Sequence, residues 1–308
     1  MRISVVVTTW RRPAELLRCL EGLSSQSRSP DEVVVVARTS DTSTHHALSH
    51  AQLADLPLRV IEVEEPGMAV SLNAGLHGAQ GELVAITDDD AVPRADWLER
   101  MELHFQADAG LGGVGGRDWV HQGTEILDER VSRVGEVRWY GRVIGHHHLG
   151  SGGPREVDLL KGVNMAFRGE ALHGVSIGGG LRGSGTQAHW EIGLCLALKR
   201  SGWRLLYDPA VAVDHYPARR HDEDQRSGRS LTALGNEVYN ETYVLLRWLS
   251  GARRAASLGY GLFVGTRQAP GVVVALERIS RGQRVPGAFV AAQRARLEAA
   301  RAALAAQR

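Results

Sequence analysis

Residues 85–97 read AITDDDAVPRADW. The adjacent acids Asp88, Asp89 and Asp90 are the first place in this chain where chemistry could gather. Neighbouring carboxylates repel, so such a cluster takes up a proton, accepts a cation or stays in solvent. A charge run on its own is most often a solvated turn. The preceding GELVAI, however, is a short apolar run of the kind that forms a buried strand, which puts the acids at a strand end. Hard divalent cations such as Mg²⁺ take oxygen ligands, usually one or two carboxylates plus substrate phosphates. Such an ion can neutralise a leaving diphosphate. Two other runs invite related readings with less support. GLGGVGGRDW, residues 110–119, has the glycines of a phosphate loop but lacks Gly-Lys-Ser/Thr and a strand–glycine–helix order, and reads as the approach to a strand. His146, His147 and His148 could bind metal, but inside the polar, glycine-rich stretch 121–156 they read as part of a solvated loop or insertion.

The elements that must position the acids alternate strand and helix. ISVVVTT and DEVVVVA read as buried strands, and LRVIEV and ELVAIT as a third and a fourth strand. AELLRCLEGLSSQ, SDTSTHHALSHAQL and GMAVSLNAGLHGAQ read as the helices between them. This order predicts an α/β fold with a mostly parallel central sheet flanked by helices. Ligands of such sheets bind at the carboxyl ends of the strands. The acids sit at one such end, and Thr8, Thr9 and Arg38 sit at two others. Further on, ADWLERMELHFQ predicts a helix and VDLLKGVNMAFRGEAL a strand, turn, strand and helix start. GGGLRGSGTQ predicts a flexible loop, HWEIGLCLALKRSGW a helix, and RLLYDPAVAVDHY a short strand pair. PARRHDEDQRSGRS is a charged, mobile linker, and residues 231–308 turn helical.

The chain has 308 residues, 43% hydrophobic and 23% charged, which is ordinary for a soluble globular protein. A formal net charge of +1 gives no global case for nucleic acid. Two cysteines, Cys19 and Cys195, supply no disulfide framework and no paired metal spacing, and both read as buried thiols. The N-terminal apolar run is too short for a signal peptide, and no run reaches the roughly 20 residues of a membrane span. The expectation is a cytoplasmic protein, with peripheral contact at the inner face of the membrane left open.

Taken together, ISVVVTTWRRPAELLRCLEGLSSQ, PDEVVVVA, LNAGLHGAQGELVAITDDDAVPRADWLE, VDLLKGVNMAFRGEAL and HWEIGLCLALKRSGWRLLYDPAVAVDH stand in an order and spacing that resembles a family 2 glycosyltransferase with the GT-A fold. The resemblance covers roughly residues 1–220, with 221–308 as a helical C-terminal extension. It implies an inverting transferase that uses a nucleotide diphosphate-sugar and a divalent metal, Mg²⁺ or Mn²⁺. Its acceptor would be a carbohydrate, a lipid-linked sugar or a small molecule, in cell-wall, exopolysaccharide or glycoconjugate synthesis. Residue by residue, Asp90 and His215 match metal ligands, and Asp88 faces the ribose or the metal. Asp89 faces the donor sugar. Thr8, Thr9 and Arg11 match the loop that cups base and ribose, and Asn73 lies in the helix facing the nucleotide. Gly162 and Asn164 match a turn beside donor sugar and acceptor. Glu191 falls where the family has its catalytic carboxylate, the general base for the acceptor hydroxyl. His189 and Trp190 precede it, and Trp190 reads equally as an acceptor platform or as core.

Two positions depart from the family pattern. The second strand lacks its usual terminal acid pair, so Arg38 stands there, with Asp41 the nearest acid to replace it. HWE stands in place of Gly-Glu-Asp at the base. The C-terminal NETYVLLRWLSGARRAASLGYGLFVG fits either a helical cap or an amphipathic contact with anionic lipid. The Ala- and Arg-rich tail fits a surface helix or a homo-oligomer contact. Two rival readings remain at this level: a metal-dependent nucleotidyltransferase or phosphohydrolase, and a non-catalytic nucleotide- or sugar-binding protein on a transferase scaffold.

Overall fold

The computed structural model describes residues 1–51, 53, 56–224 and 230–306. β1 (Ile3–Thr8) leads to α1 (Pro13–Ser24), which starts with proline, where a missing N–H costs nothing. β2 (Glu32–Arg38), α2 (Thr42–His50), β3 (Leu58–Val63), α3 (Met68–Gly78) and β4 (Leu83–Asp88) complete the alternating half. β1, β2, β3 and β4 pair in parallel. Thr8 lies opposite Asp88 on one side and Val36 on the other, so the carboxyl ends of β1, β2 and β4 finish level. Side chains alternate across each strand. Val5, Val7, Val33 and Val35 face one core layer with Leu16, Leu20 and Trp97, while Val6, Val34 and Val36 face the layer under α3.

The second half adds β5 (Ala91–Pro93), α4 (Trp97–Ala107), β6 (Leu111–Gln122) and the short β7 (Glu125–Ile126), β8 (Glu136–Val137), β9 (Val143–Ile144) and β10 (Arg155–Val157). β11 (Asn164–Arg168), α5 (Trp190–Arg200) and β12 (Arg204–His215) follow. The sheet order is β10-β12-β6-β11-β4-β1-β2-β3, with β11 antiparallel to both its neighbours. Four helices finish the chain: α6 (Leu231–Trp248), α7 (Gly251–Phe263), α8 (Val272–Ser280) and α9 (Pro286–Ala305). They share a core with the sheet: Leu234, Val238, Ala292 and Ala299 lie in one cluster with Phe167, Trp190 and Tyr207. Among the described residues no helix is long and apolar enough to cross a membrane.

Three local expectations are corrected. GLGGVGGRDW is not an approach to a strand but the strand β6 itself. Its glycines are needed because neighbours crowd it: a Cβ on Gly116 would lie 1.7 Å from the Val211 carbonyl oxygen. RLLYDPAVAVDHY is not a strand pair but one strand, β12, whose register jumps between Asp208 and Ala212 where Pro209 cannot donate to the ladder. His147 is not solvated. It is buried in a 3-10 turn, its Nε2 2.9 Å from the Leu159 carbonyl, and burial pushes its pKa down to about 4. Of the linker expected at 217–230, residues 225–229 lie outside the described residues.

Candidate active site

The level strand ends carry a cleft lined by Thr8, Thr9, Trp10, Arg12, Arg38, Asp88, Asp89 and Asp90. Gly67, Met68 and Ser71 from the start of α3 and Arg220, Asp222 and Asp224 from the segment after β12 close its other walls. β12 brings His215 beneath the acids. Asp88, Asp90 and His215 offer ligand atoms that all lie within 4.8 Å of one another. Donors of one hard ion at about 2.1 Å sit about 3–4 Å apart, so the three suit a single cation after a small contraction. Two features add to the fit. His215 Nε2 is buried, lacks a hydrogen bond, and lies 3.3 Å from Asp90 Oδ1. The mixed carboxylate–imidazole donor set also suits the softer Mn²⁺ better than Mg²⁺, which prefers oxygen ligands throughout.

The protonation pattern reflects crowding. Burial, and then the neighbouring Asp90 charge, push the Asp88 pKa up. Burial raises Asp89 to about 7 against the pull of Arg12. Burial would raise Asp90 too, but His215 and the Ala218 N–H, 2.8 Å from Oδ2, outweigh it and hold Asp90 at about 2. Burial lowers His215, yet the hydrogen bond to Asp118 and the charge of nearby Asp90 win and raise it to about 9. A divalent cation is the natural counter-charge for such a site.

Other residues singled out from the sequence lie elsewhere. Asp41 does not open on the cleft: it caps α2 and accepts from Thr44 N and Oγ1, Ser43 Oγ and Arg11 N, which exhausts its oxygens. Arg11 has a left-handed backbone (φ 56°), and its guanidinium is exposed beside the Trp10 ring rather than lining the cleft. Asn73 exchanges two hydrogen bonds with the Ile177 backbone and so ties α3 to the loop that precedes α5. Asn164 is fully buried, accepts from Trp97 Nε1 and donates to Arg117 O and Val211 O. It holds the sheet together, and complete burial keeps it from a sugar. Trp190 is buried in the core, its ring packed on Gly162 so closely that a Cβ there would meet Cζ2 at 2.7 Å. His189 takes a left-handed conformation ahead of α5, its Nε2 3.9 Å from Glu237 Oε1. Glu191 is half-buried at the second position of α5 and is not among the cleft-lining residues.

The structure adds residues the sequence reading passed over. Arg12, not Arg11, reaches the acids: its Nη1 is 2.8 Å from Asp89 Oδ1 and 3.5 Å from Asp90 Oδ2. Trp10 and Asp222 flank the Arg38 already singled out: its guanidinium stacks on Trp10, 4.1 Å from the ring centre, and pairs with Asp222 at 2.7 Å. Asp118, buried in β6, lies 3.3 Å from His215 Nδ1 and accepts a hydrogen bond from Lys161. A lone acid in an otherwise apolar glycine strand was the available signal for Asp118. A carboxylate on the far nitrogen fixes the imidazole so that Nε2 faces the metal. Asp118→Asn is expected to weaken Mn²⁺ binding about 10- to 100-fold, measured by calorimetry on the folded protein. Unchanged affinity would mean that Asp118 only neutralises Lys161.

A mostly parallel sheet of this topology, with an Asp-x-Asp pair at its strand ends beneath a cleft, has the GT-A fold of a glycosyltransferase. The chain belongs to glycosyltransferase family 2: the profile of the family described as "Glycosyltransferase like family 2" matches residues 1–261. It is 27% identical over 229 residues to a glucosyl-dolichyl phosphate glucuronosyltransferase of Haloferax volcanii, covering 70% of this chain and 69% of that one. It is 29% identical over 128 residues to the uncharacterized glycosyltransferase YwdF of Bacillus subtilis, covering 41% of this chain and 43% of that one. Among solved structures it is similar to S. aureus TarS 1-349 in complex with UDP, with a TM-score of 0.61, 15% identity, and coverage of 99% of this chain and 92% of that one. It is also similar to the mannosyltransferase PcManGT of Pyrobaculum calidifontis in complex with GDP-Man and Mn²⁺, with a TM-score of 0.52, 20% identity, and coverage of 98% and 86%. At these identities the structural likeness speaks for the fold.

Proposed function

We propose that this glycosyltransferase is inverting and metal-dependent, and moves a sugar from a nucleotide diphosphate-sugar to an acceptor hydroxyl. The observation that carries this reading is the convergence of Asp88, Asp90 and His215 on one point at the floor of the cleft. Bound there, a divalent cation would neutralise the charge that builds on the leaving diphosphate. Thr8, Thr9 and the Trp10–Arg38 stack form the wall for base and ribose, and Arg12 holds Asp89 in place. Glu191 takes the proton from the acceptor hydroxyl. The acceptor oxygen then attacks the anomeric carbon, the bond to the diphosphate oxygen breaks, and the configuration inverts. The chemistry of the relative from Haloferax volcanii makes a lipid-phosphate-linked sugar the first acceptor to try, for a role in glycoconjugate, cell-wall or exopolysaccharide synthesis.

The test is calorimetric titration with UDP, GDP, dTDP and CDP, each with and without Mn²⁺. Binding of one diphosphate that depends on the metal supports the reading and names the donor class. Absence of binding for all four, with the protein folded, would overturn it. Within the same assay Arg38→Ala is expected to weaken the preferred nucleotide about tenfold, because it removes a guanidinium from the aromatic wall. An affinity that does not move would take Arg38 out of the donor site and leave it as a tie to Asp222.

A further inference from the structure

α8 packs Val274 and Ala275 but leaves most of its apolar side chains exposed. At about 100° per residue, Val272, Val273, Leu276 and Ile279 share an arc of about 120°. This is the exposed face: the four are 38%, 61%, 55% and 56% exposed in that order. The opposite face is the one that packs. Ala275 is buried there, and half-buried Arg278 donates from Nη1 to the Arg267 carbonyl and from Nε to Gln283 Oε1. The end of α7 exposes two more apolar side chains, Phe263 and Val264, at 62% and 38%. The two helices are tied at this point by the hydrogen bond from Gly271 N to Val264 O at 2.8 Å. Scattered exposed apolar side chains are ordinary on a protein surface, but six on two helix segments tied end to end are not.

The surroundings of this face are basic. Arg267, Arg278, Arg281 and Arg284 lie within or beside α8 against one acid, Glu277, which is already paired with Arg281 at 2.7 Å. Among the described residues no ion-pair or hydrogen-bond partner is found for the guanidinium of Arg267 or of Arg284. The face also lies beyond residue 261, where the family match stops. We infer that α8 and the end of α7 form a docking surface for an anionic lipid bilayer, with the apolar side chains entering the headgroup boundary and the arginines meeting lipid phosphates. An apolar face flanked by arginines is the pattern of an interfacial helix. Charge also disfavours the obvious rival, since a second copy would bring two such arginine-rich patches together, whereas an anionic surface complements all four.

Vesicle flotation tests this on the full chain. The probes are vesicles of phosphatidylcholine alone and of phosphatidylcholine with phosphatidylglycerol in equal parts. Binding is expected to the anionic vesicles only and to fall with added salt. The triple variant Val273→Ser, Leu276→Ser, Ile279→Ser changes only exposed side chains. It should keep the parent's melting curve and metal-dependent nucleotide binding while losing on the order of a hundredfold in partitioning. Arg267→Gln and Arg284→Gln should each lose about fivefold. Leu103→Ser, an exposed residue of α4, is the control and should change nothing. The inference is overturned if the parent ignores anionic vesicles or if the triple variant binds them undiminished. A parent that instead sediments as a dimer, and becomes monomeric in the triple variant, also overturns it, because the face then covers a second copy.

Discussion

Asp90→Ala is expected to remove Mn²⁺-dependent nucleotide binding and to lower kcat/KM by about three orders of magnitude, equivalent to about 4 kcal/mol of transition-state stabilisation. Asp90 occupies the centre of the cluster. One oxygen faces His215, and the other accepts the Ala218 N–H that turns the chain away from β12. Its low pKa keeps it charged at any working pH, so it can offer a ligand when its neighbours carry protons. Asp89 gives the contrasting case: it is buried, committed to Arg12, and pushed towards neutrality. Asp89→Asn should therefore leave metal affinity within a few-fold of the parent while loosening the Arg12 contact. Removing the Asp90 side chain also leaves His215 charged beside one partner fewer, so a folding loss must be kept apart from a binding loss. Asp90→Asn keeps the shape and an acceptor for Ala218. If that variant melts like the parent yet binds no metal, the ligand role stands. If Asp90→Asn still binds Mn²⁺ and nucleotide together as tightly as the parent, Asp90 is not a ligand and the metal reading of the triplet fails.

What was legible in the sequence follows a physical divide. The parallel half announced itself because a strand buried on both faces has to be an uninterrupted apolar run, as VVVV is in β2, and because helices must intervene between parallel strands. The acids were legible because a strand end tells where a side chain opens. Contacts made across long separations were not. Asp41 looked like a spare acid near the nucleotide, and only the fold shows four donors converging on it. Asn164 looked like a sugar contact, but it fastens three strands from within. The choice between Arg11 and Arg12 turned on a left-handed residue at the end of β1, which sends one guanidinium outward and the other to Asp89. Gly116 and its neighbours read as the approach to a strand because glycine is rare inside strands. The bulge in β12 that requires them lies more than ninety residues away in sequence.

Glu191→Gln is expected to cost about 10²- to 10⁴-fold in kcat while nucleotide and metal affinities stay within about twofold of the parent. Glu191 stands at the second position of α5, where the helix start is braced against the acid cluster through one neighbour. Trp190 packs on Gly162, and next to Gly162 Lys161 donates to Asp118, the partner of His215. That bracing suits a group which must lie close to the sugar without touching the diphosphate. The glutamine variant keeps size and hydrogen-bonding reach but cannot take a proton, so a loss confined to kcat with unchanged binding separates proton removal from positioning. Gly162→Ala offers an independent handle: the added methyl would push on the indole, displace the start of α5, and lower kcat without removing any functional group. Full activity in Glu191→Gln with a verified donor would transfer the role to another carboxylate. Asp224 would then be the first to replace, since it lines the cleft and its Oδ1 is buried without a hydrogen-bond partner. The helix start would in that case serve to shape the acceptor side while proton removal came from the segment that follows β12.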